Sequence, residues 1–195
     1  EEWDKFNGLG GSSAPTSFYN KYDEWDLRLE HNLAKTWRGQ PFKDSRIAVI
    51  KYWDRTGKQM LDHDGLNFPV FRYADVLLLL SESYLRGKQD LPTAISYLNQ
   101  IRERANLNPY SGAQTYEAVF NDLEHQRAIE FFVEGERFYD LRRWGLLEER
   151  MQTCNAARYK QLMTGKVGDT NRYYYYPIPA KEISANPLCT PNEGW

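Results

Sequence analysis

Apolar residues between Phe68 and Trp144 recur at the spacing of three helices. After Pro69, Tyr73, Val76, Leu77, Leu80 and Tyr84 form one stripe, and Gly87, Lys88 and Gln89 mark its stop. A second helix opens at Leu91-Pro92, where a proline in the first turn loses no hydrogen bond. Ala94, Ile95, Leu98, Ile101, Arg102 and Ala105 continue it, and Asn106, Asn108, Pro109 and Gly112 end it. The pair predicts an antiparallel hairpin like one tetratricopeptide unit, which cannot bury both faces alone. Thr115 is a candidate N-cap for the third helix, with Glu117 adding charge to its first turn. That helix is expected to run to Trp144, with Gly145 as its stop and a further turn or helix over Leu146 to Leu162.

The stretch Glu124 to Trp144 breaks the usual division of faces. Phe120, Leu123, Phe131, Phe138 and Leu141 share one face, and the positions completing it are Arg127 and Glu134. Burial of these charges demands partners on neighbouring elements, with Arg72 or Glu82 expected among them. Gly135 lies within the same stretch, where it costs about 1 kcal/mol against alanine. The close approach of another backbone would compensate. Glu130, Glu134 and Asp140 resemble an acid/base set, but Arg127, Arg137, Arg142 and Arg143 stand at three- and four-residue offsets and predict ion pairs instead. No Glu-x-x-His supports a di-iron centre.

Elsewhere the pattern is irregular. Residues 1–67 read as loop and β structure: a loop to Asn20, a short strand in Tyr22 to Leu29, a strand over Ile47 to Trp53, and a loop from Asp54 to Asn67. Residues 68–163 form the helical body. Residues 164–195 form a tail whose prolines (Pro177, Pro179, Pro187, Pro191) predict extended chain. Pro177 to Pro179 and Trp195 are expected to pack on the body.

Composition narrows the function. The 195 residues carry a net charge of −2, so no basic face invites nucleic acid. No apolar run approaches the ~18 residues of a membrane span. Cys154 and Cys189 fit either a disulfide or two unrelated thiols. Asp62, His63 and Asp64 lack EF-hand spacing and read as a solvated turn, and Gly8, Gly10 and Gly11 lack the lysine of a phosphate loop. No catalytic grouping, metal site or cofactor site is predicted. Aromatic residues make up 15% of the chain, with six Trp and fourteen Tyr. Tyr and Trp present flat apolar faces with polar edges, suited to sugar rings. Trp37, in a polar segment beside Arg38 and Gln40, is the leading platform, and Trp25 and Tyr19 are further candidates.

The run QRAIEFFVEGERFYDLRRWG resembles the signature helix of the SusD/RagB family, nutrient-binding lipoproteins of the outer membrane. FPVFRYADVLLLLSESYLRG and YYPIPAKEISANPLCTPNEGW resemble two further family stretches, in the family's order. YDEWDLRL and KYWD extend the likeness more weakly toward the N-terminus. Gln126 stands where the family usually has Glu, and Pro191-Asn192 where it has Gln-Asn. The resemblance covers the C-terminal part of a family member and implies a mainly α, SusD-like helical fold with a small β element and long loops. It implies a non-catalytic glycan- or nutrient-binding subunit on the extracellular face of the outer membrane, with a SusC-like TonB-dependent transporter as partner. A lipid anchor and the N-terminal helical repeats are then expected on a part preceding this chain. The alternative is a helical-repeat scaffold that binds protein and no sugar.

Overall fold

The structure is a computed structural model that describes residues 13–37, 39–42, 45–53, 67–152 and 176–192. They fall in two compact units, Glu1–Glu134 and Gly135–Trp195. The first unit opens with β1 (Ser13–Ala14), α1 (Thr16–Tyr19), α2 (Arg28–Asn32), β2 (Leu33–Ala34), β3 (Thr36–Trp37), β4 (Gln40–Pro41) and β5 (Ile47–Val49). β5 is the centre of an antiparallel sheet of order β1-β5-β2, with Ser13 facing Ala48 and Leu33 facing Val49. β3 and β4 make a separate hairpin. The strand expected over Ile47 to Trp53 pairs only in its first three residues. The Ile50 N–H then donates to the Asn32 carbonyl (2.9 Å) and the Trp53 N–H to the Ile50 carbonyl (3.0 Å), turning the chain.

Tyr22 to Leu29 is not the expected strand. The Asp26 carboxylate accepts the Arg28 backbone N–H at 2.9 Å and grips the Arg28 guanidinium, turning the chain into α2. Short side-chain acceptors that satisfy nearby backbone donors favour turns over ladders. Alternating polarity here reflects individually buried residues, Tyr22, Asp26 and Arg28, and not a pleated face.

The helical part follows the pattern closely. α3 (Tyr73–Ser83) continues through a wider π turn, Tyr84–Lys88, and α4 (Leu91–Arg104) returns beside it. Asp90 caps α4 by accepting the Thr93 N–H (3.2 Å), and Ser81 bonds the Ala94 carbonyl across the hairpin at 2.8 Å. α5 (Tyr116–Glu130) starts at Thr115, whose hydroxyl accepts the Ala118 N–H. Leu77, Leu78, Leu85, Ala94, Leu98, Ile101, Val119, Leu123 and Phe131 form one core. A second core joins Ile129 of α5 to Ala14, Tyr22, Leu33 and Ile47. α5 therefore serves both. The stripe on α3 is rotated from its sequence reading. Ala74, Leu77, Leu78 and Ser81 face inward, while Tyr73 (72%), Val76 and Leu79 are exposed, as are Phe68, Val70 and Phe71 (83%) before them.

The long third helix is two helices. α5 ends at Glu130, and α6 (Glu136–Trp144) begins after a turn in which Val133 (φ 57°) and Gly135 (φ 92°) are left-handed. Gly135 thus supplies a backbone conformation, and the expected close approach does not occur, since a Cβ added there would meet nothing within 4 Å. Cations from distant elements fix the turn. Lys51 Nζ donates to the carbonyls of Glu130 (2.7 Å) and Phe132 (3.2 Å), and Arg72 to that of Glu130 (3.0 Å). These satisfy carbonyls that the helix end leaves open, and positive charge suits that end of the dipole.

The expected buried ion pairs are present. Arg72 binds both Glu134 oxygens at 2.8 Å and Glu130 at 2.7 Å. Lys51 also pairs with Glu134, and Arg104 with Glu130. Arg28 bonds Gln126 Oε1 (2.8 Å) and approaches Glu130 at 3.5 Å. Arg127, 2% exposed, pairs with Asp75 at 2.9 Å. Glu82 is buried and pairs with Arg86 at 3.2 Å. Burial is the largest influence on Glu130 and favours its neutral form. The charges and hydrogen bonds of Arg104 and Arg72 outweigh it and bring the carboxyl down to about 2 from 4.5.

In the second unit α6 is followed by α7 (Leu147–Gln152), and the tail contains α8 (Ala180–Ala185). The tail is therefore not wholly extended. Pro179 precedes α8 in extended conformation and leaves its first turn free to form. Pro177 and Pro179 are exposed and Ile178 between them is half-buried, while the adjacent Tyr176 ring meets Phe138 of α6 at 6.2 Å. Within this unit Asp140 is buried and pairs with Arg143 at 2.8 Å. Trp195, Cys154, Tyr173 to Tyr175 and the Asp62–Gly65 turn lie outside the described residues, while Cys189 is a half-buried free thiol.

Two outcomes follow from the turn and its ion pairs. A β-branched residue in the left-handed region is strained by about 1–2 kcal/mol, whereas asparagine tolerates it. Val133→Asn should raise the urea midpoint, by about 1 kcal/mol in stability, when unfolding is followed by circular dichroism. Glu130→Gln leaves its arginines without their carboxylate and should destabilise the chain by about 3–5 kcal/mol in the same assay. In the parent, a folded-state pKa below the unfolded value means this contribution is complete above pH 4.5 and lost as pH falls through about 2. An acid melt in which Glu130→Gln loses as much stability over that window as the parent would contradict this.

Candidate ligand-binding site

One surface feature of the first unit is the β3–β4 hairpin. Gly39, at φ 79°, makes the left-handed corner a tight connection needs, and Trp37 is the cross-strand partner of Gln40. The sequence neighbours therefore become spatial neighbours, an indole beside an exposed amide. Trp37 is half-buried and meets Trp53 edge-to-face, with centroids 5.3 Å apart. Phe42 leans on the same Trp53 at 6.2 Å. Trp53 sits just beyond Lys51, so the clamp on the end of α5 also holds the aromatic cluster under the hairpin. Tyr52 packs its ring against Phe68 at 5.1 Å. Burial, and then the Glu134 charge, raise the Tyr52 phenol above its ordinary range.

The other candidates stand on separate elements. Tyr19 ends α1, is half-buried against the second core, and carries Lys35 Nζ 3.7 Å above its ring. Trp25 lies in the turn before α2 and is 70% exposed, with its carbonyl accepting from the Asn106 side chain at 3.3 Å. Arg38 falls outside the described residues. Lys35 and Phe42 were not marked by the sequence pattern, since only the hairpin register brings them to Tyr19 and Trp53. Among the described residues no three His, Cys, Asp or Glu side chains gather as metal ligands. The buried carboxylates Glu130 and Glu134 are engaged by Arg28, Arg72, Arg104 and Lys51, so they serve as ion pairs.

A family model of SusD proteins matches residues 12–195. The chain belongs to the SusD family. A SusD-like protein of Formosa agariphila is 29% identical over 192 residues, which is 94% of this chain and 34% of that protein. Starch-binding protein SusD of Bacteroides thetaiotaomicron is 30% identical over 155 residues, 76% of this chain and 26% of its own length. Among solved structures, a SusD superfamily protein from Bacteroides vulgatus superposes with a TM-score of 0.78 at 45% identity, covering 94% of this chain and 44% of that one. Surface glycan-binding protein A from Bacteroides fluxus gives 0.68 at 28% identity, with 94% and 40% covered. The chain spans between about a quarter and a third of the length of the curated relatives it matches. The mainly α, SusD-like fold is thereby shown.

Proposed function

We propose that this chain is part of a non-catalytic nutrient-binding subunit that captures an oligosaccharide and passes it to a SusC-like TonB-dependent transporter. The observation that carries the reading is Trp37 beside Gln40 on the hairpin, backed by Trp53. A sugar ring lies on such an indole through its C–H groups, and an amide at the rim exchanges hydrogen bonds with its hydroxyls. Arg38 would add donors there, and Trp25 would offer a second stacking face. Relatives named for starch binding and surface glycan binding support the ligand class. The subunit works on the extracellular face of the outer membrane, held by a lipid anchor on the N-terminal part. Among the described residues no helix is long and apolar enough to cross a membrane.

A second reading, a helical scaffold that binds protein and no sugar, is favoured by the exposed Tyr73, Val76 and Leu79 of α3. Calorimetric titration with oligosaccharides against peptides separates the two. One stacked ring and a few exchanged hydrogen bonds give weak to moderate affinity. Trp37→Ala should abolish measurable oligosaccharide heat while leaving the helical circular dichroism intact, because the hairpin lies outside both cores. Unchanged binding in that variant would remove Trp37 from the site.

A further inference from the structure

The hairpin carries a cation for which sugar stacking has no use. Thr36 faces Pro41 and Trp37 faces Gln40, and the Phe42 N–H donates to the Lys35 carbonyl at 3.2 Å, extending the pairing by one step. Alternation along paired strands then puts Lys35, Trp37, Gln40 and Phe42 on one face. Contact of Trp37 and Phe42 with the same Trp53 agrees with that assignment. Lys35 is exposed, and its ammonium rests on the Tyr19 ring, 3.7 Å from the centroid. Lys51, Arg72 and Arg104 have carboxylate partners, whereas among the described residues no carboxylate pairs with Lys35. The ring holds the charge in place without neutralising it, so less order is lost when an anion arrives.

We infer that Lys35 makes this an acidic-saccharide site, which takes a glycan whose carboxylate or sulfate lies next to the ring stacked on Trp37. The inference rests on the sugar-binding reading above and adds the substrate class to it. A neutral sugar would use only the indole and the amide, while an anionic group adds a charge-assisted contact to the ammonium. Because Lys35 is exposed, salt should weaken that added contact and leave the stacking largely unaffected.

The test is calorimetry on the whole chain at low salt. The probes are matched neutral, uronic and sulfated oligosaccharides on galactose and on glucose backbones. On at least one backbone an anionic probe should bind about tenfold more tightly than its neutral match, the gain expected of one charge-assisted contact. The better of the uronic and sulfated arms identifies the anion. Lys35→Gln should bring the anionic probe to the neutral affinity, Lys35→Arg should keep the advantage, and Trp37→Ala should abolish measurable heat from the neutral and the anionic probe alike. Equal affinities for neutral and anionic probes would overturn the inference and leave sugar binding standing. An anionic advantage that survives in Lys35→Gln would overturn the role of Lys35. Absence of binding to every probe would overturn both the inference and the sugar-binding reading.

Discussion

The C-terminal carbonyls of α5 and the Glu130 carboxylate beside them must be satisfied out of reach of bulk water, and much of the first unit is arranged around that need. Arg28 comes from α2, Lys51 from the turn after β5, Arg72 from the residue before α3, and Arg104 from the end of α4. Each lies on a different element, so a single acidic residue ties together the small sheet, the helical hairpin and α5. A buried acid with several basic partners is a weak source of net stability compared with an apolar replacement. Its value lies in register. Arg72 fits only where α3 begins beside the end of α5, and both Arg72 and Arg127 lie over the Phe131 ring, at 5.0 and 4.8 Å from its centroid.

The same constraint reaches the surface. Lys51 cannot leave without stranding the Phe132 carbonyl and giving up its pair with Glu134, so Tyr52 and Trp53 leave the sheet in a fixed direction. The hairpin then folds its Trp37 and Phe42 onto Trp53. A loop that would otherwise be free to choose its conformation acquires an anchored floor from an interaction made in the interior. That is a familiar economy: binding groups on loops, positioned by a rigid scaffold.

Residues that sit against the rule for their face were the most legible ones. Arg127 and Glu134 interrupt an apolar stripe, which demands burial with partners, and Arg72 was identifiable as one because it opens the neighbouring helix. The end of α5 was not legible. Helical spacing continues through Phe131 and Phe138, and only the capping cations, drawn from far away in sequence, show where the helix must stop. Local chemistry also overrode periodicity at Asp26, which turns the chain where alternation predicts a strand. At the hairpin, Trp37 and Gln40 are close in sequence and were easily paired. Lys35, Phe42 and Trp53 depend on strand register, which composition does not encode. Gln126 shows a related limit: its Oε1 serves Arg28, but its Nε2 is buried without a partner among the described residues, at a position where the resembled family usually carries Glu.

The outward stripe of Phe71, Tyr73, Val76 and Leu79 has a practical consequence for anyone following the unfolding of this chain. Environment-sensitive dyes brighten when they find apolar surface, and most folded domains offer them little until the core opens. Here the native state already presents a row of large side chains to water. Fluorescence would start high and fall or stay flat on heating, imitating a protein that is already molten. Intrinsic signals from the buried helices and from Trp53 report the transition without that artefact.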